Sequence, residues 1–234
     1  MALSIVDPQL GEVVVSIRAN SSRFTAKWSK GRVMIIAPRG ASRERILRFI
    51  EQARPKLMEW REPQLFETGR PLELDGGITI KFARTGEISQ KVRALLSKSG
   101  ATIQIASDLP EADPQLPGLI SRVMMKVAVA HSPSILIPRA KEIADSLGLR
   151  PAKLEISRGH KILGHCNARK EIAISAACLF LPWELRDYVI CHELAHLTEM
   201  NHSERFHALC DRYCGGREKE LIRKLKAYKW PILR

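Results

Sequence analysis

Residues 188–206 read YVICHELAHLTEMNHSERF, and the way this stretch is laid out in space decides the fold of the C-terminal half. Tyr188, Val189, Ile190 and Leu194 supply an apolar side uninterrupted by glycine or proline. The segment therefore continues a helix opened by Pro182 and expected over roughly 182–199. On that helix His192 and His196 lie four residues apart and project from one face, about one turn apart. Two imidazole nitrogens so placed can reach a single ion at about 2.0–2.1 Å, which neighbours at i+1 or i+2 cannot readily do. Glu193 is displaced about 100° around the helix from His192. There a carboxylate stands beside the ion without ligating it and can hold a water and take its proton.

A third ligand is expected at His202. The chain must turn at Glu199–Asn201, because Ser203 has the character of an N-cap and Phe206, Leu209, Cys210 and Tyr213 give the next helix an apolar face. That turn swings His202 back toward the histidine pair. A histidine pair that merely satisfied hydrogen bonds would not need Glu193 between its members, and burying that carboxylate without compensation would be costly. Cys191 precedes a ligand but points away from the ion on a helix, and reads as core.

Outward from this segment, the chain of 234 residues, 45% apolar, is long enough for one large domain or two small ones. No stretch approaches the 18 or more uncharged apolar residues of a membrane span, and the expected setting is the cytoplasm. The five cysteines are odd in number and lack finger or ribbon spacing, which fits free thiols in a reducing compartment. The 38 Lys plus Arg against 25 Asp plus Glu give +13, with the excess at the two ends of the chain. Such a field attracts nucleic acid, anionic membrane or acidic protein. There is no run of five basic residues, aromatic-interleaved basic stripe or glycine-rich phosphate loop, so nucleic acid is possible as a partner only through the general basic surface.

Short β-rich runs at 12–18, 23–28 and 32–37 suggest an antiparallel meander, followed by an amphipathic helix over 43–60 that contains Pro55. Further strands are expected at 78–82 and 101–106. The proline-rich stretch 107–118 is the most linker-like, placing a boundary near 110. Beyond it come helices from Leu119 to Val129 and over 138–147, paired strands at 153–158 and 171–176 around a Gly/His/Asn-rich connection, and terminal helices near 204–214 and 217–229. No internal repeat is evident.

The run Tyr188 to Leu197, continued by Asn201-His202-Ser203 and Phe206, closely resembles the YgjP-like group of metal-dependent hydrolases, which are compact zincins. It is more distantly similar to the SprT and WLM groups, whose members include proteases of DNA-bound proteins. The resemblance implies metal ligation by His192, His196 and His202 and a general base at Glu193. It also implies an α+β fold with a minimal zincin-like metalloprotease module over 111–234, fronted by an antiparallel strand-rich module with one helix over 1–110. Where the family has a tryptophan-glycine-serine-cysteine stretch, this chain has Leu163-Gly164-His165-Cys166, and Ser175 stands about where an asparagine is expected.

The chemistry implied is zinc-dependent hydrolysis of a protein or peptide substrate, with Glu193 moving the water's proton to the leaving amine and strand 171–176 flanking an extended substrate. His165 or His160, with Tyr213 behind them, is the candidate oxyanion or substrate contact, His165 first. Two alternatives are a DNA-associated protease and a non-catalytic protein with a structural zinc. A fourth protein ligand would mark the second of these, and three ligands with an open position would argue against it.

Overall fold

Alternating burial marks the strands that open the chain: β1 (Ala2–Asp7), β2 (Gly11–Arg18), β3 (Thr25–Ser29) and β4 (Arg32–Pro38). In this computed structural model residues 2–29, 32–59, 69–86, 88–111, 113 and 115–232 are described; Trp60, Ala112 and Pro114, which belong to the expected helix and linker, lie outside them. The strands pair in the order β1-β2-β4-β3, and the sheet is not a pure antiparallel meander, because β2 and β4 run parallel. Hairpin pairing accounts for β1–β2 and β3–β4. The most β-branched strands then meet at the centre, where Val13, Val15, Val33 and Ile35 are fully buried, as parallel pairs require. Helix α1 (Arg43–Glu59) covers this face with Ile46, Ile50 and Leu57 and continues through Pro55.

The same plan recurs in β5 (Leu72–Leu74), β6 (Ile78–Thr85), β7 (Val92–Ser97) and β8 (Gly100–Ala106), ordered β5-β6-β8-β7 with β6 and β8 parallel. This is an internal repeat of topology that the sequence does not display. Gly100 permits the parallel register, since a Cβ there would stand 1.9 Å from the Thr79 carbonyl oxygen.

The chain divides into two compact units, Met1–Leu65 with Pro110–Leu119, and Phe66–Leu109 with Ile120–Ile232. The second sheet thus groups with the C-terminal half, a division different from a single break at 110. Hydrogen bonds explain the grouping. Asp75, in the β5–β6 turn, accepts the Trp183 N–H on Oδ2 at 2.8 Å, and its carbonyl accepts from Arg186 Nη1 at 2.8 Å. Pro182, at the N-cap of that helix, has no side-chain cap of its own, and Asp75 takes the role from 108 residues away.

One long helix, α2 (Leu116–Ser146), replaces the two expected, running through Pro133 and Pro138. An interior proline costs a helix about 3 kcal/mol. Here Ile120, Met124, Val127, Leu136 and Ala140 are all fully buried, and that burial outweighs local preference. By length and composition α2 could cross a membrane, but half of its most apolar window is buried in protein, as in a core helix.

Strands β9 (Lys153–Ser157), β10 (Gly164–Cys166) and β11 (Glu171–Ser175) form a third sheet, ordered β10-β11-β9. The expected pair β9 and β11 is present and parallel, and the Gly/His/Asn-rich connection contributes β10, antiparallel to β11. A 3-10 turn (Ala176–Phe180) leads into α3 (Trp183–Ala195), followed by α4 (Glu204–Tyr213) and α5 (Glu218–Ala227). The mixed α+β class is as expected.

Two outcomes follow. Asp75→Ala should cost about 1 kcal/mol, read as a lower urea midpoint at unchanged slope, with Asp75→Asn retaining most of the stability. In the N-terminal unit, Asp7 accepts from the Gln9 and Leu10 N–H groups and from Arg54. Burial opposes its charge, but the Arg54 guanidinium and those two N–H groups outweigh it and hold the carboxyl below the ordinary aspartate value. A lowered folded-state pKa contributes stability above the unfolded pKa and loses it as pH falls through the folded one. The stability gap between wild type and Asp7→Asn should therefore be full at neutral pH and close as the solution is acidified below about 4.

Candidate metal centre

Helix α3 brings His192 and His196 to one face, and His196 is also the residue that ends the helix. The chain then tightens, with Thr198 and Glu199 N–H groups bonding to the Ala195 carbonyl. The Ser203 N–H bonds to Asn201 and its hydroxyl caps α4 by accepting from Phe206 N. This turn returns His202 to the pair. One ring nitrogen from each of His192, His196 and His202 lies within 4.8 Å of the other two. The ring centroids stand 4.8 to 5.1 Å apart, and the fully buried Phe206 ring lies 4.4 to 4.9 Å from all three.

The donor set suits a cation. His196 Nδ1 is 2.9 Å from the Glu199 carbonyl oxygen and donates to it, which leaves Nε2 with its lone pair. His192 and His202 bring their Nε2 atoms to 3.0 Å of each other. Two nitrogens on one tetrahedral ion at about 2.0–2.1 Å stand about 3.3 Å apart, close to this spacing. Burial, then the neighbouring His196, His202 and His207, hold His192 down to about 4. Burial followed by His196 and His207 also lowers His202. Both are therefore neutral at pH 7, the form that ligates.

Glu193 is 5% exposed, and its Oε2 has no hydrogen-bond partner among the described residues. Burial alone pushes its carboxyl up to about 8. The carboxyl lies against β10 so closely that a Cβ on Gly164 would meet Glu193 Cγ, Cδ and Oε1 at 2.6 to 2.7 Å. Only glycine leaves that space.

The third sheet places the remaining candidates. Hydrogen bonds from Ser175 N to Leu163 O and from Asn167 N to Glu171 O show that residues 163, 165 and 167 face β11 with their backbone groups. The N–H and C=O groups of Gly164 and Cys166 therefore point to the open edge. That edge belongs to β10; β11, the strand expected to flank the cleft, is central in its sheet. His165 is exposed, and strand alternation puts its side chain on the face opposite to that of Gly164. His160 is half-buried in the loop before β10. Tyr213 lines a different cleft, with Glu184, Asp187 and Cys191. Ser175 is fully buried and caps the 3-10 turn while donating to the Gly159 carbonyl, so it is structural here. Cys191 is core, as expected, its thiol pushed up to about 12 by burial.

Sequence reasoning missed the Gly164 contact, the Phe206 floor and a pair in which His207 Nδ1 meets the buried Glu218 carboxylate at 2.9 Å. A glycine or aromatic at these positions carries no distinctive local spacing.

Taken together, three converging imidazoles beside a buried carboxyl in an α+β protein define a metal-binding centre of hydrolase type. The chain belongs to the YgjP-like metallopeptidase domain family, whose model matches residues 23–228. No curated protein and no solved structure shows a significant match to it.

The Gly164 contact has a direct test. Gly164→Ala should destabilise by about 1–3 kcal/mol through overpacking, and by much less in a Glu193→Ala background. Equal costs in both backgrounds, measured by urea unfolding, would show that the two residues do not press on each other.

Proposed function

We propose that this protein is a zinc-dependent peptidase in which His192, His196 and His202 hold the ion and Glu193 is the general base. The observation that carries the reading is the buried Glu193 Oε2, unpartnered beside three imidazoles whose nitrogens converge. No fourth His, Cys, Asp or Glu joins the cluster among the described residues, which favours an open catalytic site over a closed structural one. Zinc, when bound, supplies Lewis-acid chemistry, polarising the scissile carbonyl and making water acidic enough to ionise near neutral pH.

The chain's own residues do the rest. Glu193 takes a proton from the attacking water and hands it to the departing amine. Gly164 sets the carboxyl's position by offering bare backbone. An extended substrate segment lies along β10 and bonds to the outward N–H and C=O groups of Gly164 and Cys166, with little demand on its sequence. His165, exposed on that edge strand, is a substrate contact. The five free cysteines support the reducing environment of the cytoplasm.

Metal analysis of unchelated protein should find about one zinc per chain in wild type and Glu193→Gln, and little in His192→Ala. Cleavage of an unfolded mixed protein substrate should fall about 10²–10⁴-fold in Glu193→Gln. Intact protein without stoichiometric metal would sink the reading.

A further inference from the structure

Residues 158–170, the two turns that flank β10 together with the strand itself, contain four Lys or Arg, two His and no Asp or Glu. Arg158, His165, Arg169 and Lys170 are all exposed. The charge is placed unevenly across the third sheet. On the opposite edge, Lys153 meets Glu155 at 2.5 Å and Arg150 pairs with Asp145, so that the basic groups there are offset locally. On the β10 side, Arg169 reaches Glu171 of the next strand at 3.0 Å, and the segment supplies no acid of its own. Ile162, 70% exposed immediately before the strand, adds an apolar contact between the charges.

We infer that the substrates of this site are extended polypeptide segments carrying acidic side chains on either side of the cleaved bond. The inference rests on the peptidase reading above and adds the substrate class. A peptide suits this edge better than a nucleic acid does. Gly164 and Cys166 present both donors and acceptors, which a peptide backbone answers in kind and a phosphodiester, lacking donors, does not. The flanking positive field then selects among peptides by charge, acting mainly on encounter and on register along the edge.

The test uses the full-length, zinc-loaded protein and three fluorogenic peptides with one shared apolar core, flanked by Glu, by Gln or by Lys. At low ionic strength kcat/KM for the Glu-flanked peptide should exceed that for the Lys-flanked one by about tenfold. The gap should narrow as salt shortens the screening length. In the double variant Arg158→Glu, Lys170→Glu the ratio of Glu- to Gln-flanked rates should fall to about one or below, with zinc content and thermal midpoint recorded to show that the variant is folded. Equal rates for the Glu- and Lys-flanked peptides in wild type overturn the inference. So does a single-stranded oligonucleotide of equal charge that binds more tightly than the Glu-flanked peptide and displaces it. If no peptide is cleaved, the peptidase reading is what fails. The charge preference is then decided by anisotropy of the same labelled peptides on Glu193→Gln, where equal affinity for the acidic and basic peptides overturns it.

Discussion

Glu193 keeps a carboxyl oxygen inside the protein with no hydrogen-bond partner among the described residues, and the structure around it is built to hold it there. A buried polar atom left without a partner costs about 1–3 kcal/mol, so a fold that served only stability would turn this side chain outward or give it a donor. Instead β10 comes up against it with the one residue that has no side chain, Gly164. The imidazoles of His192 and His196 flank it in sequence on the same helix, while Phe206 backs all three rings from α4. The site is thus a place where local stability is conceded, and the elements around it are correspondingly anchored.

Anchoring begins at the far end of α3. Arg186 is fully buried and donates to the carbonyls of Leu181 at 2.5 Å, Asp75 at 2.8 Å and Leu179, with its guanidinium 4.6 Å from the Trp183 ring. These bonds satisfy the charge where burial would otherwise disfavour it, which is the direction in which burial moves this group. The start of α3 is therefore held by the turn of a sheet more than 100 residues earlier, and its end carries the histidines. At the other end, His196 closes the helix and binds the Glu199 carbonyl, so the stop of the helix and the aim of a ligand are one feature. His202, by contrast, is exposed and depends on the Ser203 cap for its return.

Much of this was legible in the sequence because it is local. The four-residue spacing of His192 and His196, the glutamate between them, and Ser203 before an apolar helix all depend on helical period and capping, which a short window contains. Non-local pairings were not legible. The runs at 12–18, 23–28 and 32–37 suggest the β3–β4 hairpin but show neither β1 beside β2 nor β2 running parallel to β4, which depends on burying Val13, Val15, Val33 and Ile35 together. Pro133 and Pro138 argue locally for a break in α2, and only the burial of the whole helix overrides them. Gly164 reads as loop punctuation until a carboxyl from another element is found against it. Ser175, which stands about where the family has an asparagine, proves to be the cap of a turn.

The repeated sheets sharpen what is particular to the catalytic half. Each begins with a strand, a turn with an aspartate at its start, and a second strand, and in each that aspartate is tied to an arginine on a helix. Asp7 accepts from Arg54 of α1, which packs on the same sheet, whereas the Asp75 carbonyl accepts from Arg186 of α3. In the first sheet the aspartate side chain closes its own turn through the Gln9 and Leu10 N–H groups and ties down the helix that covers that sheet. In the second, Gly76 and Gly77 complete the turn at positive φ, and the aspartate side chain caps a helix that belongs to the metal centre. A Cβ at Gly76 would meet Trp183 and Arg186 at ordinary contact distance, so it is the positive φ that calls for glycine there. One turn design thus serves two ends. Where the aspartate caps α3, the sheet becomes the fixed support from which α3 carries His192, Glu193 and His196 to the site.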